Sequence, residues 1–410
     1  MGEQKAMEET KFASYSSVKE SMDDPKLQVT PFTPPKRSVL APKTWSRRTW
    51  LWLGSGVLLT AIVVGGAVGG VRATRKSDDS IGPKNGPYPK YSTLEYQIME
   101  EYQPSEFLDK FEYFDGEDPA NGFVQYTSQE EALRRNLAYV KTDNGHTTSV
   151  VLRADNSLDA ENGRRSIRLH SKNQYGPGLF IFDVKHTPYG CGSQPALWLA
   201  DPDNWPENGE IGVMRGYHGD HINWMNLYTS ANCNVGGVKR KMKGSQITTH
   251  CDYSSESFNG CFSQAWSFKQ KENTYTIGPN FNNAGGGIMA MEYRNEGIRI
   301  WQFSRDNIPD DISLVGDGHQ KNPNPSKWGP PMADYPNTNC NIGDHFKNQR
   351  IIVNIGFCGS PAPYRWTEGD GCFVQNPGTT CQGYVAQNAS AFDNTYWEFN
   401  GFQIYRAASY

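Results

Sequence analysis

From Phe107 onward the chain is cut into short segments in which apolar residues recur at every second position. Ser166-Ile167-Arg168-Leu169-His170 alternates in this way, as does the run Leu179–Val184. Period two places successive side chains on opposite faces of a strand. Residues 285–303, GGGIMAMEYRNEGIRIWQF, read as two strands joined at Asn295-Glu296-Gly297, a hairpin signal. Residues 347–360 and 391–405 give closing strands. With 41 Gly, 21 Tyr, 19 Phe and 11 Trp, the chain suits aromatic strands separated by many turns. The expectation is an all-β domain over residues 106–410, long enough for one sizeable core. No internal repeat is visible.

All eight cysteines fall in this part: Cys191, Cys233, Cys251, Cys261, Cys340, Cys358, Cys372 and Cys381. An even number confined to one region points to disulfides in an oxidising compartment. The pairing stays open. No C-x-x-C pair or His-x3-His cluster suggests zinc, so neither a metal nor a cofactor is expected.

The N-terminal part is different in kind. Residues 1–46 are polar and rich in Pro, Ser, Lys and Glu, which reads as a disordered tail. Residues 50–71 carry no charge, and a run of about 22 residues can span a bilayer core as a single helix. Lys36, Arg37, Lys43, Arg47 and Arg48 precede this run. Arg72, Arg75 and Lys76 follow it, and Asp78 and Asp79 come next. That bias places the tail in the cytosol and the C-terminal domain in a lumen or outside the cell, a type II single-pass topology. Residues 72–105 read as a stalk. Gly2 does not make a myristoylation signal, because Ala6 stands where Ser or Thr is wanted. A net charge of −4 argues against nucleic acid as a partner. Glycines at 65, 66, 69 and 70 could let two helices pack, but they leave the oligomeric state open. Asn388-Ala389-Ser390 is a sequon, and lumenal topology makes Asn388 a candidate glycan site.

Residues 204–216 read NWPENGEIGVMRG. This stretch resembles the active-site strand of fungal glycoside hydrolases of family 16, the endo-1,3(4)-β-glucanase or laminarinase group, which runs roughly NGEIDIIEG. The resemblance makes Glu210 the nucleophile position. Gly212 stands where the family has an assisting Asp, and Arg215 where it has the general acid/base. Residues 107–126, 163–172, 175–191, 195–210, 226–233, 285–303, 347–360 and 391–405 follow the same family. The implied fold is a concanavalin A-like β-jelly roll, with a glucan cleft across one sheet.

A retaining glycosidase needs two carboxyl groups about 5–5.5 Å apart. Residues five apart on a regular strand face opposite ways, so E-x-D-x-x-E needs a β-bulge to bring its ends together. With the bulge, Arg215 and Glu210 share the cleft. Arginine cannot donate and recover a proton, but it can pair with Glu210 and hold that carboxylate ionised.

Other departures cluster around the same cleft. Gln194 stands where the family has a Trp, Tyr228 where it has a His, and Cys358-Gly359-Ser360-Pro361-Ala362-Pro363 lacks an Asp and a Trp. Tyr189, Trp198, Trp205, Trp224 and Tyr228 are the candidate sugar-stacking residues. His186, His218, His221 and Asp220 are candidate substitute acids. Three readings are open: a β-1,3(4)-glucan-directed domain with lost or altered hydrolysis, an active glycosidase or transglycosylase using Glu210 and a substitute acid, and a pocket re-purposed for a non-glucan molecule.

Overall fold

A computed structural model describes residues 86–253, 260–266, 275–316, 321–360, 366 and 371–408. The tail at 1–46, the apolar run at 50–71 and the first part of the stalk lie outside the described residues. Among the described residues, no helix is long and apolar enough to cross a membrane.

In chain order the strands are β1 (Tyr96–Tyr102), β2 (Phe111–Tyr113), β3 (Val124–Tyr126), β4 (Ala138–Asp143), β5 (His146–Arg153), β6 (Arg164–Ser166), β7 (Arg168–Ser171), β8 (Gly178–His186) and β9 (Ser193–Ala200). They continue as β10 (Glu210–Arg215), β11 (Trp224–Tyr228), β12 (Ser245–Gln246), β13 (Cys261–Gln264), β14 (Gly287–Arg294), β15 (Gly297–Ser304), β16 (Ala333–Pro336), β17 (Arg350–Phe357) and β18 (Tyr396–Ala407). One sheet has the order β16-β15-β14-β8-β18-β5-β4, with β1 also on β18. The second runs β12-β13-β11-β10-β9-β17-β7-β2. Pairing within both is antiparallel. The β14–β15 hairpin turns at Asn295-Glu296, with Arg294 opposite Gly297. The expected all-β sandwich is therefore observed.

One face of each sheet is apolar, and those faces meet. Phe180, Phe182, Phe399 and Phe402 of the first sheet share a buried cluster with Leu197, Leu199, Ile211, Leu227 and Val353 of the second. Burying a side chain of this size contributes about 1.5–3 kcal/mol, which fixes the register of each strand. The Trp397 indole N–H donates to the Asn354 carbonyl at 3.1 Å, tying the sheets together. All eight cysteines pair, as Cys191–Cys372, Cys233–Cys340, Cys251–Cys261 and Cys358–Cys381.

The stalk expected at 72–105 needs correction over its second part. Tyr96–Tyr102 pairs with β18 and covers its 402–407 edge. Upstream, Tyr88 donates to the buried carboxylate of Asp334 at 2.8 Å, and Tyr91 lies 3.9 Å beneath the Arg299 guanidinium. Arg294 donates to the Ser92 carbonyl at 2.9 Å and to its hydroxyl at 2.8 Å. Residues 86–102 thus belong to the folded domain. Their polar, Pro- and Tyr-rich composition resembles a linker because they strap across a surface and bury few apolar side chains.

Candidate active site

β10 lies within the second sheet, between β9 and β11. Its register slips once. Glu210 faces Ala200 and Tyr228, while Arg215 faces Ala196 and Trp224. Five steps along β10 therefore match four on each neighbour, which is a β-bulge. Ile211 and Val213 point into the core by simple alternation, and the bulge sends Met214 there as well. Arg215 then emerges on the face that Glu210 occupies. Asn223 fastens the bulge, accepting from the Arg215 N–H at 2.9 Å and donating to the Val213 carbonyl at 3.0 Å.

The Glu210 side chain is only 5 % exposed and is held by three donors. Arg215 donates to Oε1 at 2.7 Å, Asn226 Nδ2 to Oε1 at 2.9 Å and Trp205 Nε1 to Oε2 at 2.9 Å. A carboxylate offers about four lone-pair sites, so most of its accepting capacity is occupied. Burial would lower the Arg215 pKa, but the Glu210 charge, with Tyr217 and Tyr228, outweighs this and raises it. Arg215 is a fixed cation beside Glu210. Gly212 lies opposite Trp198 on one side and Asn226 on the other, and the Asn226 amide fills the space a Cβ at 212 would need.

Trp205 is carried on the loop between β9 and β10. Asp201 organises that loop, accepting from Asn208 at 2.7 Å, Asn204 at 3.0 Å and the Asp203 N–H at 3.2 Å. Burial would raise the Asp201 pKa. The hydrogen bonds from Asn208, Asn204 and Asn348 more than offset it and hold the carboxyl below its usual value. The loop ends at Gly209, whose φ of +75° is left-handed and whose missing Cβ leaves room for the His345 carbonyl and the Phe346 ring.

A cleft of about 320 Å³ runs across these strands. At one end Tyr253 meets Trp205 edge-on at 4.6 Å, and Tyr228 stands 6.2 Å from the same ring. Burial pushes the Tyr228 phenol up, with Arg215 opposing and Glu210 reinforcing the shift. Toward the other end Trp198 donates to Asn354 at 2.9 Å, and Asn354 donates to the Tyr126 phenol at 3.2 Å. There Arg168 lies 4.8 Å from the Phe114 ring and 5.3 Å from Trp198, with Nε donating to His170 Nε2 at 2.9 Å. Burial, then the charges of Arg168 and Arg350, lower the His170 pKa to about 3, which keeps that ring a neutral acceptor.

Gln194, Trp198, Trp205, Glu210, Arg215 and Tyr228 all line the cleft, as the sequence suggests. Gln194 is engaged at both ends of its amide, donating to the Gly359 carbonyl at 3.1 Å and accepting its N–H at 2.6 Å. Tyr189 and Trp224 do not line it. Tyr189 follows β8 of the other sheet and stacks on His186 at 6.1 Å. Trp224 is half-buried, with Phe262 edge-on at 6.3 Å. The four substitute acids are also elsewhere. His186 stacks on Tyr396 at 3.7 Å, and burial lowers its pKa to about 4. His218 is buried and accepts from the Gly192 N–H at 2.8 Å. His221 is exposed beside Tyr275, and Asp220 accepts from the Tyr217 N–H at 3.3 Å. Among the described residues, Asp118 is the carboxylate besides Glu210 in the lining, and it accepts from Ala120 and Gly122 N–H groups in its own turn.

Arg168, Tyr126, Asn354, Tyr217, Tyr253 and Asp118 were not expected in the cleft. The alternation in residues 166–170 is a signal for Arg168, because inward Ile167 and Leu169 leave it on the outer face. Tyr253 carries no such signal, since what holds it near Trp205 is the bond from its N–H to the Thr229 carbonyl at 2.9 Å and the Cys251–Cys261 bridge two residues before it. Pro361 to Pro363 lie outside the described residues. Cys233, Cys340 and His345 come close enough to suggest a metal, but the two cysteines are joined as a disulfide.

A family model described as the XgeA-like catalytic GH16 domain matches residues 111–405. This chain belongs to glycoside hydrolase family 16. It is 34% identical over 321 residues to a probable glycosidase of Schizosaccharomyces pombe, covering 78% of this chain and 71% of that protein. It is also 34% identical over 313 residues to an endo-1,3(4)-beta-glucanase of Arthroderma benhamiae, covering 76% of this chain and 65% of that relative. The match spans about half, 48%, of an endo-1,3(4)-beta-glucanase of Emericella nidulans. Laminarinase 16A of Phanerochaete chrysosporium, solved with beta-glucans in its donor and acceptor sites, superposes with a TM-score of 0.68. The identity is 36%, over 76% of this chain and 100% of that one. An elongating family 16 beta-1,3-glucosyltransferase superposes with a TM-score of 0.66 at 33% identity, over 76% of this chain and 100% of that one. The bulged strand and the Arg215–Glu210 pair both lie within the residues that the family model matches.

Proposed function

We propose that this family 16 domain binds β-1,3(4)-glucan and has lost ordinary hydrolysis. The observation that carries the reading is the Arg215–Glu210 ion pair at 2.7 Å. General acid catalysis typically contributes about 10²–10⁴-fold, and a permanent cation supplies none of it. A carboxylate already accepting three hydrogen bonds is also a poor nucleophile. The aromatic cleft is unaffected by either change. Trp205, Trp198 and Tyr228 offer rings to sugar faces, and Tyr253, Arg168 and Asn354 add further contacts. Relatives named as glucanases support glucan as the ligand class.

In this reading residues 50–71 anchor the chain as a type II membrane protein, with the domain lumenal or extracellular. Four disulfides agree with an oxidising side. Asn388, exposed at a helix end, is a glycan acceptor there.

A second reading, transfer between β-1,3-glucan chains, draws on the likeness to the elongating glucosyltransferase and on the Asp118 carboxylate in the cleft. The two are separated by incubating the purified domain with insoluble β-1,3-glucan and with laminarihexaose. The glucan-binding reading expects retention on the solid, loss of retention in Trp205→Ala, and an unchanged oligosaccharide profile. Longer products that vanish in Glu210→Gln would establish the second reading instead.

A further inference from the structure

We infer that Glu210 is a positioning residue, whose task is to hold the Trp205 indole as a pre-set platform for a sugar ring. This rests on the glucan-binding reading above and gives the retained carboxylate a present role. Trp205 is 37% exposed on a surface loop. A large exposed ring on a loop, if unsupported, samples several rotamers, and ordering it on binding opposes affinity. Here the indole is fixed from two directions. Its N–H donates to Glu210 Oε2 at 2.9 Å, and Tyr253 braces the ring edge-on at 4.6 Å.

The rest of the centre makes sense as support for that single bond. Arg215 and Asn226 both donate to Oε1 and leave Oε2 to Trp205. Glu210 is 4% exposed, and Arg215 supplies the counter-charge beside it. An ionised acceptor makes a shorter and stronger bond to an indole N–H than a neutral one. Asn226 also fills the space beside Gly212 and from there donates to the carboxylate. The chain thus keeps Glu210 while dispensing with both of its former carboxylate neighbours.

The test compares Arg215→Leu with the double variant Glu210→Leu/Arg215→Leu. The first keeps the carboxylate on Trp205; the second removes it without stranding a buried arginine. The folded domain is labelled with 5-fluorotryptophan, and Trp205 is identified as the ¹⁹F resonance missing from Trp205→Phe. The Trp205 signal is expected to shift slightly in Arg215→Leu and to stay a single sharp line, because the Glu210 carboxyl still accepts the indole N–H but has lost its counter-charge. In the double variant it should move and average. The Kd for laminarihexaose is expected to weaken about tenfold in the double variant and far less in Arg215→Leu. An unmoved Trp205 signal in the double variant would overturn the inference. If the double variant does not fold, Trp205→Phe decides on binding, since phenylalanine stacks but has no N–H. Laminarihexaose binding at wild-type strength by Trp205→Phe would overturn it. If the wild type binds no laminarihexaose, the glucan reading fails by itself, and the fluorine signal still decides what Glu210 does.

Discussion

The Asn226 side chain occupies the space beside Gly212 that any Cβ at that position would need, and its amide donates to Glu210 Oε1 at 2.9 Å. Gly212 and Asn226 face each other across the β10–β11 pair. The absence of a side chain at 212 and the presence of an amide at 226 are therefore one packing solution.

Restoring two carboxylates alone will not restore a hydrolase. Gly212→Asp/Arg215→Glu forces the new aspartate against Asn226, and overpacking of this kind costs about 1–3 kcal/mol. Release of reducing sugar from laminarin should stay at background in that pair. Adding Asn226→Thr makes room, and this triple variant is the first in which turnover is expected.

The central ion pair should be costly to break and cheap to replace. Arg215→Met leaves Glu210 buried without a counter-charge, for an expected loss of about 3–5 kcal/mol in urea unfolding. Glu210→Met/Arg215→Met removes both charges and should recover most of that loss. A single variant as stable as the wild type would show that solvent reaches the pair more freely than its burial implies.

Acid should destabilise the fold through His170. Its folded pKa, lowered to about 3 by burial and by Arg168 and Arg350, lies below the ordinary value of 6.5. The unfolded chain therefore binds a proton that the folded chain refuses between about pH 6.5 and 3. Stability is fully present above that window and is lost as pH falls through it. His186, lowered to about 4, acts in the same direction. His170→Gln should flatten the fall in Tm between pH 6.5 and 4, because glutamine keeps an acceptor for Arg168 and cannot take up the proton.

The segment before the cleft domain should prove structural. A chain beginning at residue 86 keeps β1 and the Tyr88–Asp334 bond, whereas one beginning at 106 bares the 402–407 edge of β18. An uncovered strand edge invites pairing with other chains. The shorter chain is expected to aggregate or to melt at a clearly lower temperature in a thermal scan. Asp334→Ala in the longer chain should lower Tm by a smaller amount.

Much of the sandwich is legible in the residues, because strands with one buried face must alternate. The β14–β15 hairpin and the strands at 178–186, 350–357 and 396–407 all announce themselves in this way. The stacking of Arg215 on Glu210's face is legible only through the motif, since plain alternation would separate them. Asn226 was hidden for a different reason. Its role comes from lying opposite Gly212, and register between strands is not written locally in either one. Tyr189 lies in the family-like segment 175–191, yet it belongs to the connection leaving the opposite sheet.

The most direct test of the account is product formation from laminarin by the purified wild-type domain, followed at high enzyme concentration over many hours alongside a glucan-retention assay. The account predicts retention on glucan and no reducing ends above the level of Glu210→Gln. Steady release of oligosaccharides that depends on Glu210 would contradict it, because a cation in the donor position would then not have silenced the site.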